Sequence, residues 1–184
     1  MTSPPRLPAW LLARLLPGRE LEYVVGDLVE EYALRSRRAS TLQVKSWYTM
    51  QICRSIAPLL WASIAREGWL STVGIAGAAW VAASAAEALG IALLQFVLVA
   101  TSVGFTVASV AIGIATIAIG GYVAGRIRPA SPAVMAAIVL VAVLGLMITA
   151  SGTAPLWYAL VFLVGGPLAA LGGGVVAAAM RVSR

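Results

Sequence analysis

Residues 69–125 read WLSTVGIAGAAWVAASAAEALGIALLQFVLVATSVGFTVASVAIGIATIAIGGYVAG, and Glu87 is the one charged residue in this apolar block. A helix needs about 20 apolar residues to cross the hydrocarbon core of a bilayer. The block therefore holds either two long spans or three short ones. Two further apolar segments, 131–151 and 156–180, each have the length of one span and are joined by a short turn.

The composition of the whole chain is typical of a membrane protein. Hydrophobic residues make up 61% of the 184 residues, charged residues make up 11%, and the mean hydropathy is +0.94. A soluble domain has about 25% charged residues. Residues 1–68 carry nine of the 13 Lys and Arg residues and six of the seven acidic residues. This asymmetry predicts a solvated head joined to a lipid-embedded part.

Positive charge selects between two and three spans in the apolar block. Arg126 and Arg128 follow the block, and Arg181 and Arg184 follow the last apolar segment. Because basic loops stay in the cytoplasm, two spans before Arg126 put these arginines on the side of the basic head. We therefore predict an all-α integral membrane protein of the inner (plasma) membrane, with both termini cytoplasmic. The four predicted transmembrane helices lie near 70–96, 101–125, 131–151 and 156–180.

We predict two domains: a cytoplasmic helical head over residues 1–67 and a transmembrane four-helix bundle over residues 69–184. The helical segments of the head lie at 8–16, at 19–37 and from residue 40 onward. The second segment has one apolar face, because its apolar residues recur at helical spacing. The third opens with a capping box formed by Ser40 and Gln43, and Pro58 should kink or break it.

The second helix of the head carries a charged face opposite its apolar one. Its members are Asp27, Glu30, Glu31 and Arg35. Glu31 precedes Arg35 by four residues, the order that favours an ion pair on a helix. The three carboxylates resemble a cation site only superficially, because Ca²⁺ and Mg²⁺ draw on more oxygen ligands. We predict no metal and no cofactor, and we expect this face to contact a partner protein.

Glu87 lies within the first predicted span, where an unpaired carboxylate costs roughly 3 kcal/mol. Gln95 follows eight residues later on nearly the same face of the helix. Two interpretations stay open. Glu87 is either a functional intramembrane carboxylate, in contact with a proton, a cation or a polar partner, or it lies at the outer interface because the helix ends early.

Small residues recur every four positions along the predicted spans. The repeats are Gly74, Ala78, Ala82 and Ala86 in the first span, Gly121 and Gly125 in the second, and in the fourth Gly165, Ala169, Gly173 and Ala177 beside Gly166, Ala170, Gly174 and Ala178. Such ridges let helices approach closely in lipid. Packing within the bundle explains them, and the alternative is an interface with a partner or with a second copy of the chain, since the double ridge offers two faces.

Several classes of function are disfavoured by residues that the sequence lacks. It has no histidine and one cysteine, Cys53, so the commonest general base is missing and no disulfide forms within the chain. It has no GxxxxGK[ST] phosphate loop. We therefore predict that the protein is not an enzyme. We also predict no nucleic-acid partner, because the basic residues flank the spans and form no patch.

Three motifs in the head carry a resemblance to a known family. They are Pro8–Leu12 (PAWLL), Gly26–Tyr32 (GDLVEEY) and Trp47–Tyr48 followed by Gln51 and Arg54. Residues 5–62 thereby resemble the permease prefix domain that precedes the permease portion of some bacterial ABC-type exporters of the macrolide-efflux kind. The family supplies no catalytic residues. Such exporters resemble permeases with a large extracytoplasmic domain, which this chain lacks, so the resemblance implies a stand-alone prefix module on a four-helix anchor.

Two functions follow from these observations. The first is a small bacterial inner-membrane interaction or regulatory protein. Its charged head helix would dock a membrane or cytoplasmic protein, such as an ABC transporter component or a regulator, while its bundle is embedded in the lipid bilayer. The alternative is a transport component, either an accessory subunit of an exporter or a small oligomeric channel, with Glu87 in the pathway.

Overall fold

The computed structural model describes residues 5, 19–37, 39–98, 102–149 and 156–182, and over these residues the protein is all-helical. The helices are α1 Arg19–Arg35, α2 Thr41–Glu67, α3 Trp69–Leu94, α4 Val103–Ile127, α5 Ser131–Thr149 and α6 Leu156–Val182. The predicted all-α fold is confirmed. The helix predicted at 8–16 lies outside the described residues.

The chain divides into two compact units between Glu67 and Gly68. Gly68 has a backbone φ of +87°, a left-handed conformation that glycine adopts without steric cost. Its carbonyl oxygen accepts hydrogen bonds from Ser71 Oγ (2.8 Å) and Thr72 Oγ1 (3.0 Å). The first turn of α3 is therefore tied to this glycine.

The first unit contains α1 and α2, which pack through a small apolar core. Its buried members are Tyr32, Val44, Tyr48 and Ile52. The rings of Tyr32 and Tyr48 meet edge to face with their centroids 5.5 Å apart, an arrangement that aromatic pairs prefer. The predicted apolar face of α1 is thus the face that packs against α2.

One of the two sequence signals noted for α2 agrees with the structure: the helix starts after Ser40, but it does not end at Pro58. Ser40 precedes the helix, its Oγ accepts a hydrogen bond from the Gln43 backbone N–H (3.5 Å) and it donates to Gln43 Oε1 (3.1 Å). Of the two effects predicted for Pro58, a break does not occur, because α2 continues through this residue to Glu67. A proline removes one backbone donor, and the helical residues on both sides of Pro58 keep the chain helical.

The second unit contains four helices, α3 to α6, each long and apolar enough to cross a membrane. Residues 69–125 therefore hold two spans, which confirms the number predicted from positive charge. The second of these starts one residue after Ser102, whose Oγ accepts a hydrogen bond from the Phe105 N–H (3.1 Å). Capping of this kind satisfies a backbone donor at the helix start. The fold is that of a multi-pass helical membrane protein.

Neighbouring helices in this unit follow the order α3, α4, α6, α5 around the bundle, and α4 also contacts α5. The buried core consists mainly of small and branched side chains: Ala76, Ala83, Ile117, Met135, Ala136, Val139, Phe162 and Ala170. Small residues in the core let helix backbones approach closely, which is how helices hold together in lipid.

Polar contacts join the helices at the end of the bundle where α3 begins. The Arg181 guanidinium donates to the backbone carbonyl oxygen of Gly125, one of the acceptors that a helix leaves unpaired at its carboxyl end. The buried Ser131 hydroxyl donates to the Thr72 carbonyl oxygen (3.4 Å). These two bonds connect α6 to α4 and α5 to α3.

Candidate functional site

The contact between α4 and α6 is made backbone to backbone at two glycines. A Cβ placed on Gly121 would overlap the carbonyl oxygen of Ala170, and one placed on Gly173 would overlap the carbonyl oxygen of Ala118. At Gly173 the same Cβ would lie 2.6 Å from the Tyr122 backbone nitrogen. Real Cβ atoms do not come this close to backbone, so these positions need glycine.

Two further glycines belong to the same contact. A Cβ on Gly165 would lie 3.1 Å from Ile114 Cδ1, and one on Gly125 would lie 3.1 Å from the Cα of Gly174. The ridge that contains Gly165 and Gly173 therefore faces α4 along most of its length.

The second ridge of α6 contacts α5 as well as α4, since its Ala170 and Gly174 lie against Gly121 and Gly125 of α4. A Cβ on Gly166 would lie 2.8 Å from Val139 Cγ1, and one on Gly174 would lie 2.6 Å from Pro132 Cβ. Neighbours in the same bundle thus occupy both ridges of α6. Packing within the chain accounts for the six glycines that the sequence singled out on α4 and α6.

The small-residue ridge of α3 is placed differently. Its members, Gly74, Ala78, Ala82 and Ala86, are all exposed. A Cβ on Gly74 would meet nothing within 4 Å among the described residues. This ridge points away from the neighbouring helices of the bundle.

In the head, one line of exposed residues runs along α1. Tyr23, Asp27, Glu30 and Leu34 follow one another at helical spacing, and Tyr23 and Leu34 are 75% and 62% exposed. We call these four residues the α1 outer face. Two carboxylates lie at its centre and a large apolar side chain at each end. None of the described residues covers it.

The other two charged residues predicted on this helix contact the head itself. Arg35 forms an ion pair with Glu31 (2.7 Å), and its guanidinium carbon lies 4.2 Å from the centroid of the Trp47 ring on α2. The ion pair stabilises α1 itself, and the contact of Arg35 with Trp47 joins α1 to α2. The structure therefore divides the predicted set: Asp27 and Glu30 face outward, whereas Arg35 contacts α2 and Glu31 pairs with Arg35.

Tyr48 is the most deeply buried polar side chain of the head. It is fully buried, and its hydroxyl has no hydrogen-bond partner among the described residues. Burial raises the pKa of the Tyr48 phenol, and the neighbouring Tyr32 raises it further. Both effects disfavour the charged form.

Glu87 lies on α3, seven residues before the helix ends at Leu94. The helix therefore continues for seven residues beyond Glu87. Gln95 follows the last helical residue and is exposed. It does not line the groove into which Glu87 projects.

This groove, which we call the Glu87 groove, has a volume of about 600 Å³. It is bounded by all four helices of the second unit. Its lining includes Trp80, Ser84 and Glu87 of α3, Val139, Val143 and Leu146 of α5, and Tyr158 and Phe162 of α6. The wall is apolar and aromatic apart from Ser84, Glu87 and the hydroxyl of Tyr158. This composition is common to small-molecule sites.

A glycine makes room for the Glu87 carboxylate. A Cβ on Gly113 of α4 would lie 2.6 Å from Glu87 Oε1 and 2.6 Å from Phe162 Cζ. The carboxylate and the edge of the Phe162 ring therefore converge at this glycine. The Phe162 ring in turn packs on Tyr158, with ring centroids 5.0 Å apart.

Within the described part of the chain, the Glu87 carboxylate forms no ion pair and no hydrogen bond. The lining of the groove contains no lysine or arginine. Metal ligands are also not gathered here, because the described residues contain no group of three His, Cys, Asp or Glu that could hold an ion. The groove therefore presents one carboxylate in an aromatic and aliphatic setting.

The aromatic residues of the groove were not singled out in the sequence, although a local signal was present. Trp80, Ser84 and Glu87 lie at positions i, i+4 and i+7, and Tyr158 and Phe162 lie at i and i+4. Residues at these spacings share one face of a helix. The spacing could have grouped the residues that share a face of one helix. It could not have shown that these two helix faces line the same groove.

No protein-family model, no curated protein and no solved structure matches this chain. Its class, a multi-pass helical membrane protein, rests on the fold and on the four apolar helices. Its function has to be inferred from the two surfaces described above.

Proposed function

We propose that the protein is a bacterial inner-membrane interaction or regulatory protein that docks a partner through its cytoplasmic head and is anchored by its four-helix bundle. The observation that carries this proposal is the α1 outer face. Asp27 and Glu30 lie between Tyr23 and Leu34, and the opposite side of α1 is packed against α2.

The chemistry of this face indicates the kind of partner. Carboxylates at the centre favour a basic segment, and the two apolar ends favour a segment that also carries apolar side chains. A basic amphipathic helix combines both properties and docks through anchors spaced along one face. Charge complementarity speeds encounter and selects among partners, while burial of Tyr23 and Leu34 contributes to affinity.

The distribution of positive charge supports a cytoplasmic head. Arg126 lies in the last turn of α4 and Arg181 in the last turn of α6, at the same end of the bundle at which α3 begins after the head. Basic residues at span ends remain in the cytoplasm. The resemblance of residues 5–62 to a permease prefix domain supports the same orientation.

The proposal is tested by reversing charge on the α1 outer face of the full-length chain in its native membrane. Asp27→Lys/Glu30→Lys should lower the amount of partner recovered after crosslinking, by at least tenfold, as measured by quantitative mass spectrometry. Thr49→Lys/Met50→Lys is the matched control, since it adds basic residues at exposed positions of α2. An unchanged set of recovered proteins in the reversal variant contradicts docking through this face.

The Glu87 groove favours the second candidate function, a transport component with Glu87 in the pathway. A carboxylate held in a membrane helix without a pairing cation among the described residues is typical of a transport or relay site. One variant, Glu87→Gln, distinguishes the docking function from the transport function. Glu87→Gln abolishes transport under this alternative and leaves recovery of the head's partner unchanged under the first proposal.

A further inference from the structure

We propose that the Glu87 groove is a binding site for an amphiphilic organic cation: a molecule with one positive nitrogen or phosphorus centre on an aromatic or aliphatic body. This site is separate from the docking face of the head, and its ligand is small and dissolved in the membrane. A negative result for this site would therefore leave the proposed docking function untouched, and a negative result for docking would leave this site untouched.

The charge of the groove favours a cationic ligand from outside the described chain. Glu87 is the one carboxylate in the lining, and no lysine or arginine lines the groove with it. A carboxylate removed from water is stabilised by an opposite charge at close range. A bound monocation supplies that charge. A zwitterionic lipid headgroup fits less well, because its phosphate would find no basic side chain in the lining.

The walls of the groove suit the body of such a molecule. Trp80, Tyr158 and Phe162 line the groove together with Glu87, and a cation over an aromatic face is attracted by the ring. The volume of about 600 Å³ lies within the range of about 300–1,000 Å³ that small-molecule sites occupy. The groove is thus large enough for a drug-sized ligand.

The depth of the polar and apolar groups matches the orientation of an amphiphile. With a rise of about 1.5 Å per residue, Glu87 lies about 10 Å from the end of α3 at Leu94 and about 27 Å from its start at Trp69. Trp80 lies about 10 Å deeper than Glu87 on the same helix face. A ligand bound here would hold its charge nearer to water and its body toward the bilayer centre.

The experiment uses two ions of nearly equal size and opposite charge, tetraphenylphosphonium and tetraphenylborate. Equilibrium dialysis with the radiolabelled ions measures their binding to the full-length protein in mild detergent. We expect tetraphenylphosphonium to bind at one site and at least tenfold more tightly than tetraphenylborate. Glu87→Gln should weaken binding of the cation at least tenfold, whereas Asp27→Asn, a matched carboxylate change on the head, should leave it unchanged.

A steric variant and a charge-conserving variant guard against loss of fold. Ala142→Phe places a larger side chain in the lining without removing the carboxylate and should also abolish binding, while Glu87→Asp should retain part of it. Elution as the same single species in size exclusion confirms that each variant is folded. Equal binding of the two ions, or undiminished binding of the cation to Glu87→Gln, overturns the proposal. So does displacement of the cation by phosphatidylethanolamine, which identifies the groove as a lipid site.

Discussion

Gly113 and Glu87 face each other across the α3–α4 contact, and a Cβ on Gly113 would lie 2.6 Å from the Glu87 carboxylate. The same Cβ would also meet the Phe162 ring at 2.6 Å. One missing side chain on α4 thus provides the space in which a charge of α3 and an aromatic ring of α6 come together. The site depends on three helices and would be disturbed through any of them.

We predict that Gly113→Ala displaces the Glu87 side chain and lowers the stability of the bundle. Overpacking of a filled site typically costs about 1–3 kcal/mol, and binding of tetraphenylphosphonium should fall in parallel. Thermal unfolding in detergent measures the first effect and equilibrium dialysis the second. Gly104→Ala on the same helix is the control, because its Cβ would make only an ordinary 3.9 Å contact with Ser102 Oγ. Equal stability of the two variants contradicts the prediction.

Gly173 and Gly172 offer a matched pair for the close approach of α6 to α4. A Cβ on Gly173 overlaps the Ala118 carbonyl oxygen, whereas one on Gly172 meets nothing within 4 Å among the described residues. Backbone cannot yield as a flexible side chain does, so Gly173→Ala should separate the helices and lower the unfolding temperature by several degrees. Gly172→Ala should leave it unchanged. If both variants melt like the wild type, the backbone contact is not required for stability.

Tyr48 provides a test of the head core. Its buried hydroxyl has no hydrogen-bond partner among the described residues, and leaving such a group unpaired costs roughly 1–3 kcal/mol. Tyr48→Phe should therefore keep or increase the stability of the α1–α2 pair, by up to about 1 kcal/mol. Urea unfolding of the full chain in detergent, followed by near-UV circular dichroism, measures the change. Tyr23→Phe, at a position that is 75% exposed, should have no effect.

The same residue predicts how the head responds to alkaline pH. The folded-state pKa of the Tyr48 phenol is raised by burial and by Tyr32, so the unfolded chain releases this proton more readily. The stability of the head is then unaffected below the ordinary tyrosine pKa of about 10 and falls as the pH rises above it. The near-UV signal should decline in this range in the wild type and decline less in Tyr48→Phe. Identical titration curves would show that Tyr48 is not the group responsible.

Gly68 gives a prediction about the boundary between the two units. Its φ of +87° is a conformation that side chains disfavour, and Ser71 Oγ lies 3.3 Å from the position that a Cβ would occupy. Gly68→Ala should cost about 1 kcal/mol or more and loosen the first turn of α3. Hydrogen exchange of the amides of residues 69–75 in the full chain should accelerate. Gly77→Ala, where a Cβ meets nothing within 4 Å among the described residues, should not change it.

The helices of the described chain were largely predictable, because their signals are local. Apolar length located the spans, arginines set their number, and Ser40 marks the start of α2. Of the kink or break predicted at Pro58, the break does not occur, because α2 continues through this residue to Glu67. The first span ends at Leu94 and not near 96, and the second begins at Val103 and not near 101, directly after the capping residue Ser102.

The candidate sites were less predictable, because they depend on contacts between helices. Periodicity places Glu31 and Arg35 on a charged face. It does not show that the Arg35 guanidinium packs on the Trp47 ring of α2. Periodicity likewise grouped Gln95 with Glu87, although the helix ends between them at Leu94. The identity of the neighbouring helix cannot be read from either segment by itself.

The sequence by itself determined that this is a four-span helical membrane protein with a polar head, because hydropathy, length and charge act on each segment separately. Only the tertiary structure decided that the second ridge of α6 contacts α5 as well as α4 and that Trp80, Tyr158 and Phe162 line one groove with Glu87. The physical reason is that helical spacing defines a face, whereas the partner of that face follows from how all four helices pack at once.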